Sequence, residues 1–306
     1  MLIKSADDKT KRLALLEDLQ KSNRLDKKQK DWLREELSRL KKGIQGERDA
    51  AFYIESYFRD SENTAIIHDL RLVVNGDVAQ IDHLLLNRVG YFYLLETKNY
   101  NANVNITDHG EFSVTYGDEK PYGIQSPIEQ SKRHGKVLGS LLDQLKIHPR
   151  LGFERQLHHV VLIDPRGIIN RPKTSLFDSS MVIKSDQFKS WHEKHVSKAV
   201  NAVSFIPLLT QFKAKSSVED LAKLLVSHHQ PTDQLSLPEW LKPSIDPIVI
   251  LQEKQLKPVI TETVKSNYFC AKCKAAISQA VFTFSMNNKQ RFAGRAYCMT
   301  HQKEFN

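Results

Sequence analysis

Two carboxylates and a lysine at short range are the residues of this chain best suited to chemistry on a charged substrate. Asp82 lies in Gln80-Ile81-Asp82-His83-Leu84-Leu85-Leu86, and Glu96 and Lys98 lie in Tyr91-Phe92-Tyr93-Leu94-Leu95-Glu96-Thr97-Lys98. The intervening Asn87-Arg88-Val89-Gly90 has the length and composition of an antiparallel hairpin turn. With the turn centred near Val89, residues whose numbers sum to about 178 face each other, which sets Asp82 opposite Glu96. Opposed side chains sit roughly 4.5–5.5 Å apart, and like charges there destabilise a sheet. Two carboxylates among leucines therefore call for a cation, most simply a divalent metal. Side chains alternate between faces, so Lys98 shares the face of Glu96. Mg²⁺ is commonly held by one or two carboxylates, waters and phosphate oxygens, so such a face can bind Mg²⁺ or Mn²⁺, activate a water and stabilise charge on a phosphodiester. The lysine would position the water or neutralise developing charge. A solvated ion triad is the bland alternative, but Leu84, Leu86, Phe92 and Leu94 share the face and count against it. His83 alternates to the opposite face and is expected to be a core histidine. The pairs His158-His159 and His228-His229 lack metal spacing and are expected to be structural.

A second constellation closes the chain. Cys270-Ala271-Lys272-Cys273 and Cys298-Met299-Thr300-His301 are separated by 24 residues that include strand-like Ala280–Ser285 and Phe292–Tyr297. The pattern predicts a zinc ribbon in which Cys270, Cys273, Cys298 and His301 hold Zn²⁺. A segment this small needs such a staple to fold. With every ligand supplied by protein, the site is expected to be structural. Lys272, Lys274, Lys289, Arg291 and Arg295 alternate with Tyr268, Phe269, Phe282, Phe284, Phe292 and Tyr297, a candidate surface for phosphates and stacked bases. The same aromatics must also build the module's own core.

These two sites need elements to position them. Apolar residues at helical spacing predict two amphipathic helices between Ala6 and about Leu40, broken near Ser22–Asp26, and a separate helix from about Gln45 to Phe58. Their leucines need something to pack on, whether the core, a second copy or another protein. Strand patterns follow at 64–74 and 78–86 around the turn Asn75-Gly76-Asp77, then at 90–99, 103–107 and 111–116. A loop with Pro121, Gly123 and Pro127 leads to a helix from about Ile128 to Leu145. Val160–Ile163 reads as a buried strand, Met181–Ile183 as a short one, and helices are expected near 186–195 and 217–228. Five prolines in 230–265 mark a linker.

With the elements in place, the hairpin acids, Glu96-Thr97-Lys98, the preceding Gly46-Glu47 and the following Gln125-Ser126-Pro127-Ile128-Glu129-Gln130 resemble the nuclease-related domain family. That family is a branch of the restriction-endonuclease-like PD-(D/E)xK superfamily, and the likeness covers about residues 42–160. The resemblance implies an α/β fold, a mixed β-sheet flanked by helices, here with N-terminal helices and a small zinc ribbon appended. It puts Glu47, Asp82, Glu96, Lys98 and Gln130 on active-site positions. Asp82 and Glu96 would ligate the metal, Lys98 would assist the nucleophile, Glu47 would add a ligand or orient a water, and Gln130 would orient the lysine or the substrate. Ile81 stands where the superfamily often has proline. The expected organisation is 1–42 N-terminal helices, 43–229 catalytic domain, 230–265 linker and 266–306 zinc module.

Charge fits this reading. Residues 1–42 carry net +5 and 265–306 net +6, so the middle carries −2 of the overall +9. Basic flanks around an acidic centre suit a polyanion, with DNA in single-stranded or structured form the expected partner and RNA left open. The composition excludes global disorder, and no apolar run reaches the roughly 20 residues that span a bilayer. The N-terminus lacks a secretory apolar stretch, and the three cysteines do not form a disulfide framework, so a cytoplasmic location is expected. Gly135-Lys136-Val137-Leu138-Gly139-Ser140 has the wrong order for a nucleotide-phosphate loop, which excludes an ATPase of that kind. A Mg²⁺- or Mn²⁺-dependent deoxyribonuclease is the leading expectation. The alternative is a nucleic-acid-binding module that keeps the fold without turnover.

Overall fold

The computed structural model describes residues 1–88, 90–147, 155–202, 215–241, 268–277 and 279–305. They fall into two compact units, Met1–Glu239 and Trp240–Asn306.

The first unit is mixed α/β. Its elements are β1 (Leu2–Lys4), α1 (Thr10–Lys21), α2 (Lys27–Phe58), β2 (Thr64–Val74), β3 (Asp77–Asn87), β4 (Tyr91–Lys98), β5 (Asn103–Ile106), β6 (Phe112–Thr115), β7 (Tyr122–Ile124), α3 (Pro127–Gln144), β8 (Gln156–Ile163), β9 (Ile169–Asn170), β10 (Val182–Lys184), α4 (Phe188–Ala202) and α5 (Lys215–Ser227). A six-stranded sheet runs in the order β1-β2-β3-β4-β8-β10, and a four-stranded sheet in the order β7-β6-β5-β9. β2, β3 and β4 are antiparallel neighbours, while β8 lies parallel to β4 and β10. This is the mixed sheet flanked by helices that the resemblance implies.

Alternation along the strands divides the core. Leu84, Leu86, Phe92 and Leu94 point to one face and pack with Leu138, Leu142 of α3 and Val218, Ala222, Leu225 of α5. Leu85, Tyr93 and Leu95 point to the other face, against Ala50 and Ile54 of α2 and Phe188 of α4. The small sheet adds Val104, Ile106, Phe112 and Val114 to Val161, Ile163 and Val182.

Local chemistry explains the turns that set this register. Asn75 and Gly76 both have positive φ (52° and 86°), as the two-residue β2–β3 turn demands. In the β3–β4 turn Asn87 Oδ1 accepts from Tyr91 N–H at 3.0 Å, and Gly90 takes φ 89°. The β3–β4 ladder pairs His83 with Leu95 and Leu84 with Leu94. Both pairs have the expected sum.

Several elements differ from expectation. α2 is one helix of 32 residues, so the expected break before Gln45, and with it the boundary at 42–43, falls inside a continuous element. It opens with a capping box between Asp26 and Gln29, and an interior Gly43 costs only about 1 kcal/mol relative to Ala. Leu15, Leu16 and Leu19 of α1 are buried, as is Leu33 of α2, so these leucines find partners within the chain. The Pro121–Pro127 loop contains β7, and β1 and β9 are additional short strands. Of the expected linker, 230–241 is described, with Leu237 and Leu241 buried, while 242–265 lies outside the described residues.

The second unit holds three short helices, α6 (Gln279–Asn287), α7 (Lys289–Phe292) and α8 (Met299–Gln302); the first expected ribbon strand, Ala280–Ser285, is part of α6, and the second, Phe292–Tyr297, is a helix end followed by a turn and irregular backbone. Among the described residues its β pairing is one isolated bridge, Phe269 to Ala276. Ala280–Ser285 looks strand-like by type, but Val281, Phe282 and Ser285 face inward at helical spacing while Phe284 is exposed. The zinc-ribbon expectation is therefore corrected to a small helical module. No helix among the described residues is long and apolar enough to cross a membrane.

Candidate active site

Glu96 is buried at the end of β4, and Lys98 lies two residues on, on the same face. Lys98 Nζ donates to Glu96 Oε1 at 2.7 Å and to Gln130 Oε1 at 3.0 Å. Gln130 is presented by the first turn of α3, which starts at Pro127 and is capped by Ser126 Oγ accepting from Glu129 N–H. One turn further, His134 Nδ1 stands 3.5 Å from Glu96 Oε2. Neither carboxylate oxygen of Glu96 is left without a polar neighbour.

Asp82 sits where the sheet opens. The β3–β4 ladder stops at His83–Leu95, and on the other side the β2–β3 ladder pairs His68–His83 and Leu70–Ile81 but skips Asp69–Asp82. Asp69 is responsible for the second gap, because its φ of 54° turns its peptide out of the ladder. Asp82 Oδ2 instead accepts from Thr97 N–H at 2.7 Å. Burial pushes the Asp82 carboxyl well above the usual range, and the charges of Glu96 and Glu47 push it further.

Glu47 comes from α2 on the opposite side. Gly46 lets the helix approach, since a Cβ there would lie 2.5 Å from Asn99 Cβ, just beyond Lys98. Glu47 Oε2 accepts from Lys9 Nζ at 2.8 Å, and Lys9 stands 3.4 Å from Asp69 Oδ2. Burial raises the Glu47 carboxyl above its ordinary value, with Lys9 pulling it back. Burial alone would lower the Lys9 ammonium, but Glu47 and Asp69 hold it above its ordinary value.

Glu47, Asp82, Glu96, Lys98 and Gln130 thus line one groove of about 970 Å³. Residues 42–164 match the family model of the nuclease-related domain, NERD. All five residues fall inside that segment. No curated protein and no solved structure matches the chain.

Lys9, outside the matched segment, and Asp69 and His134, inside it, are site neighbours that sequence spacing does not reveal. Lys9 and Glu47 are 38 positions apart on different helical segments, and only the fold joins them. Asp69 carries the faintest signal, the one acid in a strand that also holds Thr64, His68 and Arg71. Four of the remaining histidines make structural contacts. His83 is buried, with Nδ1 2.7 Å from His68 Nδ1 and Nε2 3.2 Å from Thr97 Oγ1. His158 stacks on Tyr93, His159 meets Ser131 Oγ at 2.9 Å, and His229 accepts from Arg71 N–H at 3.0 Å.

In the C-terminal module the ligand atoms of Cys270, Cys273, Cys298 and His301 all lie within 4.8 Å of one another, a grouping that could hold zinc. Cys273 and Cys298 sulfurs are 3.9 Å apart, and His301 Nδ1 is 3.5 Å from Cys270 Sγ and 3.2 Å from Cys298 Sγ. Ordinary Zn–S and Zn–N bonds in a tetrahedron give edges of about 3.8 and about 3.6 Å. Burial opposes ionisation of the Cys270 thiol, but backbone N–H groups of Cys273, Cys298 and Lys272 bring it down to about 5. Lys272, Lys274, Lys289, Arg291 and Arg295 are all exposed. Of the interleaved aromatics only Phe269 and Phe284 are exposed, whereas Phe292, Tyr297 and the stacked pair Tyr268–Phe282 form the module's core.

Proposed function

We propose that this protein hydrolyses phosphodiester bonds in DNA with the help of Mg²⁺ or Mn²⁺. The observation that carries the proposal is the convergence of three carboxylates, a lysine and a glutamine from α2, β3, β4 and α3 on one groove. Their donor chemistry fits a hard divalent ion, which takes oxygen ligands. Burial first, and neighbouring carboxylates second, raise the Asp82 and Glu47 carboxyls, and a bound divalent ion would offset both costs.

Asp82 and Glu96, with Glu47, would hold the ion. When bound, it would lower the pKa of a water and offset charge on the phosphate. Lys98 keeps its ammonium aimed at the groove because Glu96 and Gln130 hold it from two directions, so it can orient the attacking water or meet charge on the phosphoryl oxygens. Gln130 positions the lysine, and Lys9 opposes the rise that burial imposes on the Glu47 carboxyl. The zinc of the C-terminal module would be structural, since the protein supplies all four ligands, and the module's exposed Lys and Arg would add attraction for phosphates.

Labelled DNA incubated with the chain and Mg²⁺ or Mn²⁺, compared with chelator and with Asp82→Asn, tests the proposal. Cleavage that needs both the ion and Asp82 is expected. Nucleic-acid binding without cleavage by the wild type under any divalent ion would replace the nuclease with a binding module.

A further inference from the structure

Above the carboxylates the groove has two unlike walls. One is the N-terminal half of α2, where Arg34, Ser38 and Lys42 follow one another at i, i+4 and i+8 with Arg39 beside them, three cations against the single acid Glu35 on this stretch of the wall. This stripe runs about 20 Å along the helix down to Glu47. Arg34 and Arg39 side chains are 71% and 68% exposed, and each is anchored by an acid three positions before it, Asp31 and Glu36. Arg34 and Arg39 lie outside residues 42–164, so this wall is built by the unbroken helix rather than by the NERD segment.

The other wall is the open edge of the small sheet. Val114 pairs with Tyr122, so the face that packs Phe112 and Val114 into the core runs on past the core's edge to Tyr122, with Tyr116 just beyond β6. Tyr122 is 69% exposed and Tyr116 41%, and both line the groove together with the carboxylates. Two exposed tyrosine rings beside the carboxylates offer apolar faces with a polar tip, the kind of side chain that contacts a ligand at a wet surface.

We infer that the groove takes an unpaired nucleic-acid strand, its phosphates along the Arg34–Arg39–Lys42 wall and its bases against Tyr116 and Tyr122. A duplex presents phosphates but keeps its base faces stacked inside, so the tyrosine wall would have nothing to meet. Unstacked bases offer a π-face whatever their sequence, and an aromatic platform opposite a basic track is the arrangement that single strands reward. The inference rests on reading the groove as a phosphodiester-hydrolysing site, and it names the form of substrate that site receives.

Binding measured in chelator separates the two. Fluorescence anisotropy of the full chain with labelled oligothymidylate, oligouridylate and a DNA duplex is compared for wild type, Tyr116→Ala, Tyr122→Ala, Tyr122→Phe and the Arg34→Ala/Arg39→Ala pair. Each alanine variant should lose roughly tenfold in affinity for the preferred single strand, with Tyr122→Phe near wild type and duplex affinity unchanged. The arginine pair should flatten the salt dependence on single strands by about 0.7 in log–log slope for each phosphate it no longer neutralises. The thymidylate and uridylate arms show which sugar the strand carries. Tyrosine variants that bind single strands like the wild type, or that lose duplex equally, overturn the inference even if the chain cleaves DNA. Tyrosine-dependent single-strand binding by a chain that cleaves nothing upholds it and removes the hydrolytic reading instead.

Discussion

Asp82→Asn should make the metal-free protein more stable while removing its function. Two like charges about 5 Å apart in a protein repel by about 3 kcal/mol at an effective dielectric of ~20. Burial is the largest cost to the Asp82 charge, Glu96 and then Glu47 add repulsion, and Thr97 N–H and, least of all, the Lys98 ammonium return part of it. Asparagine keeps an oxygen for Thr97 N–H and sheds the charge, so the net gain should be about 1–2 kcal/mol. For a unit of this size that raises Tm by about 2–8 °C. The pH dependence has a definite sign. The folded Asp82 carboxyl keeps its proton to higher pH than the unfolded one, so the native state binds more protons between the two pKa values. Metal-free stability therefore falls as pH rises through that interval, and Asp82→Asn flattens the slope. Mg²⁺ at a hundredfold excess over its Kd should stabilise wild type by about 2.7 kcal/mol and the variant by much less. Thermal melts in chelator and in Mg²⁺, across pH, read all three effects. An Asp82→Asn protein that melts below wild type in chelator yet gains equally from Mg²⁺ would refute the reasoning.

Other perturbations have equally definite outcomes. Lys9→Met should let burial raise the Glu47 carboxyl further, moving the acidic limb of the kcat/KM–pH profile to higher pH; an unmoved limb would free Glu47 of any role. Gly46→Ala drives a Cβ to 2.5 Å from Asn99, so it should cost about 1–3 kcal/mol in a thermal melt and weaken cleavage by separating α2 from Lys98. Gln130→Ala should lower kcat more than it raises KM, because it releases Lys98 rather than substrate. Cys298→Ser should lose bound zinc in elemental analysis of the purified chain, and retention of a full zinc complement would contradict the four-ligand assignment.

The hairpin was legible because its determinants are local. Asn87 and Gly90 fix the turn, and the turn fixes which numbers pair, so Asp82 and Glu96 could be brought together by arithmetic alone. Gln130 was legible only through resemblance, since nothing in a polar helix distinguishes one glutamine from another. Lys9 and Asp69 were not legible. The first depends on how α1 folds back beside α2, the second on a left-handed residue that breaks a ladder at one point. The long α2 was hidden by Gly43, which reads as a stop signal in sequence but costs only about 1 kcal/mol in a helix anchored at both ends, by Leu33 before it and by Gly46, Ala50 and Ile54 after it. The C-terminal module failed for a different reason: Val281, Phe282 and Phe284 favour strands by type, and short apolar runs do not reveal their period until packing chooses it. Its metal ligands, defined by spacing rather than by secondary structure, stayed legible.

The central claim is that Glu96 and Lys98 form a hydrolytic centre. The most direct test is cleavage of labelled single-stranded and duplex DNA with Mg²⁺ or Mn²⁺ by wild type, Glu96→Gln and Lys98→Met, each shown to be equally folded. The account predicts cleavage by wild type and a loss of about 10²-fold or more in both variants. Wild-type rates in either variant, or intact DNA in every wild-type reaction, would contradict it.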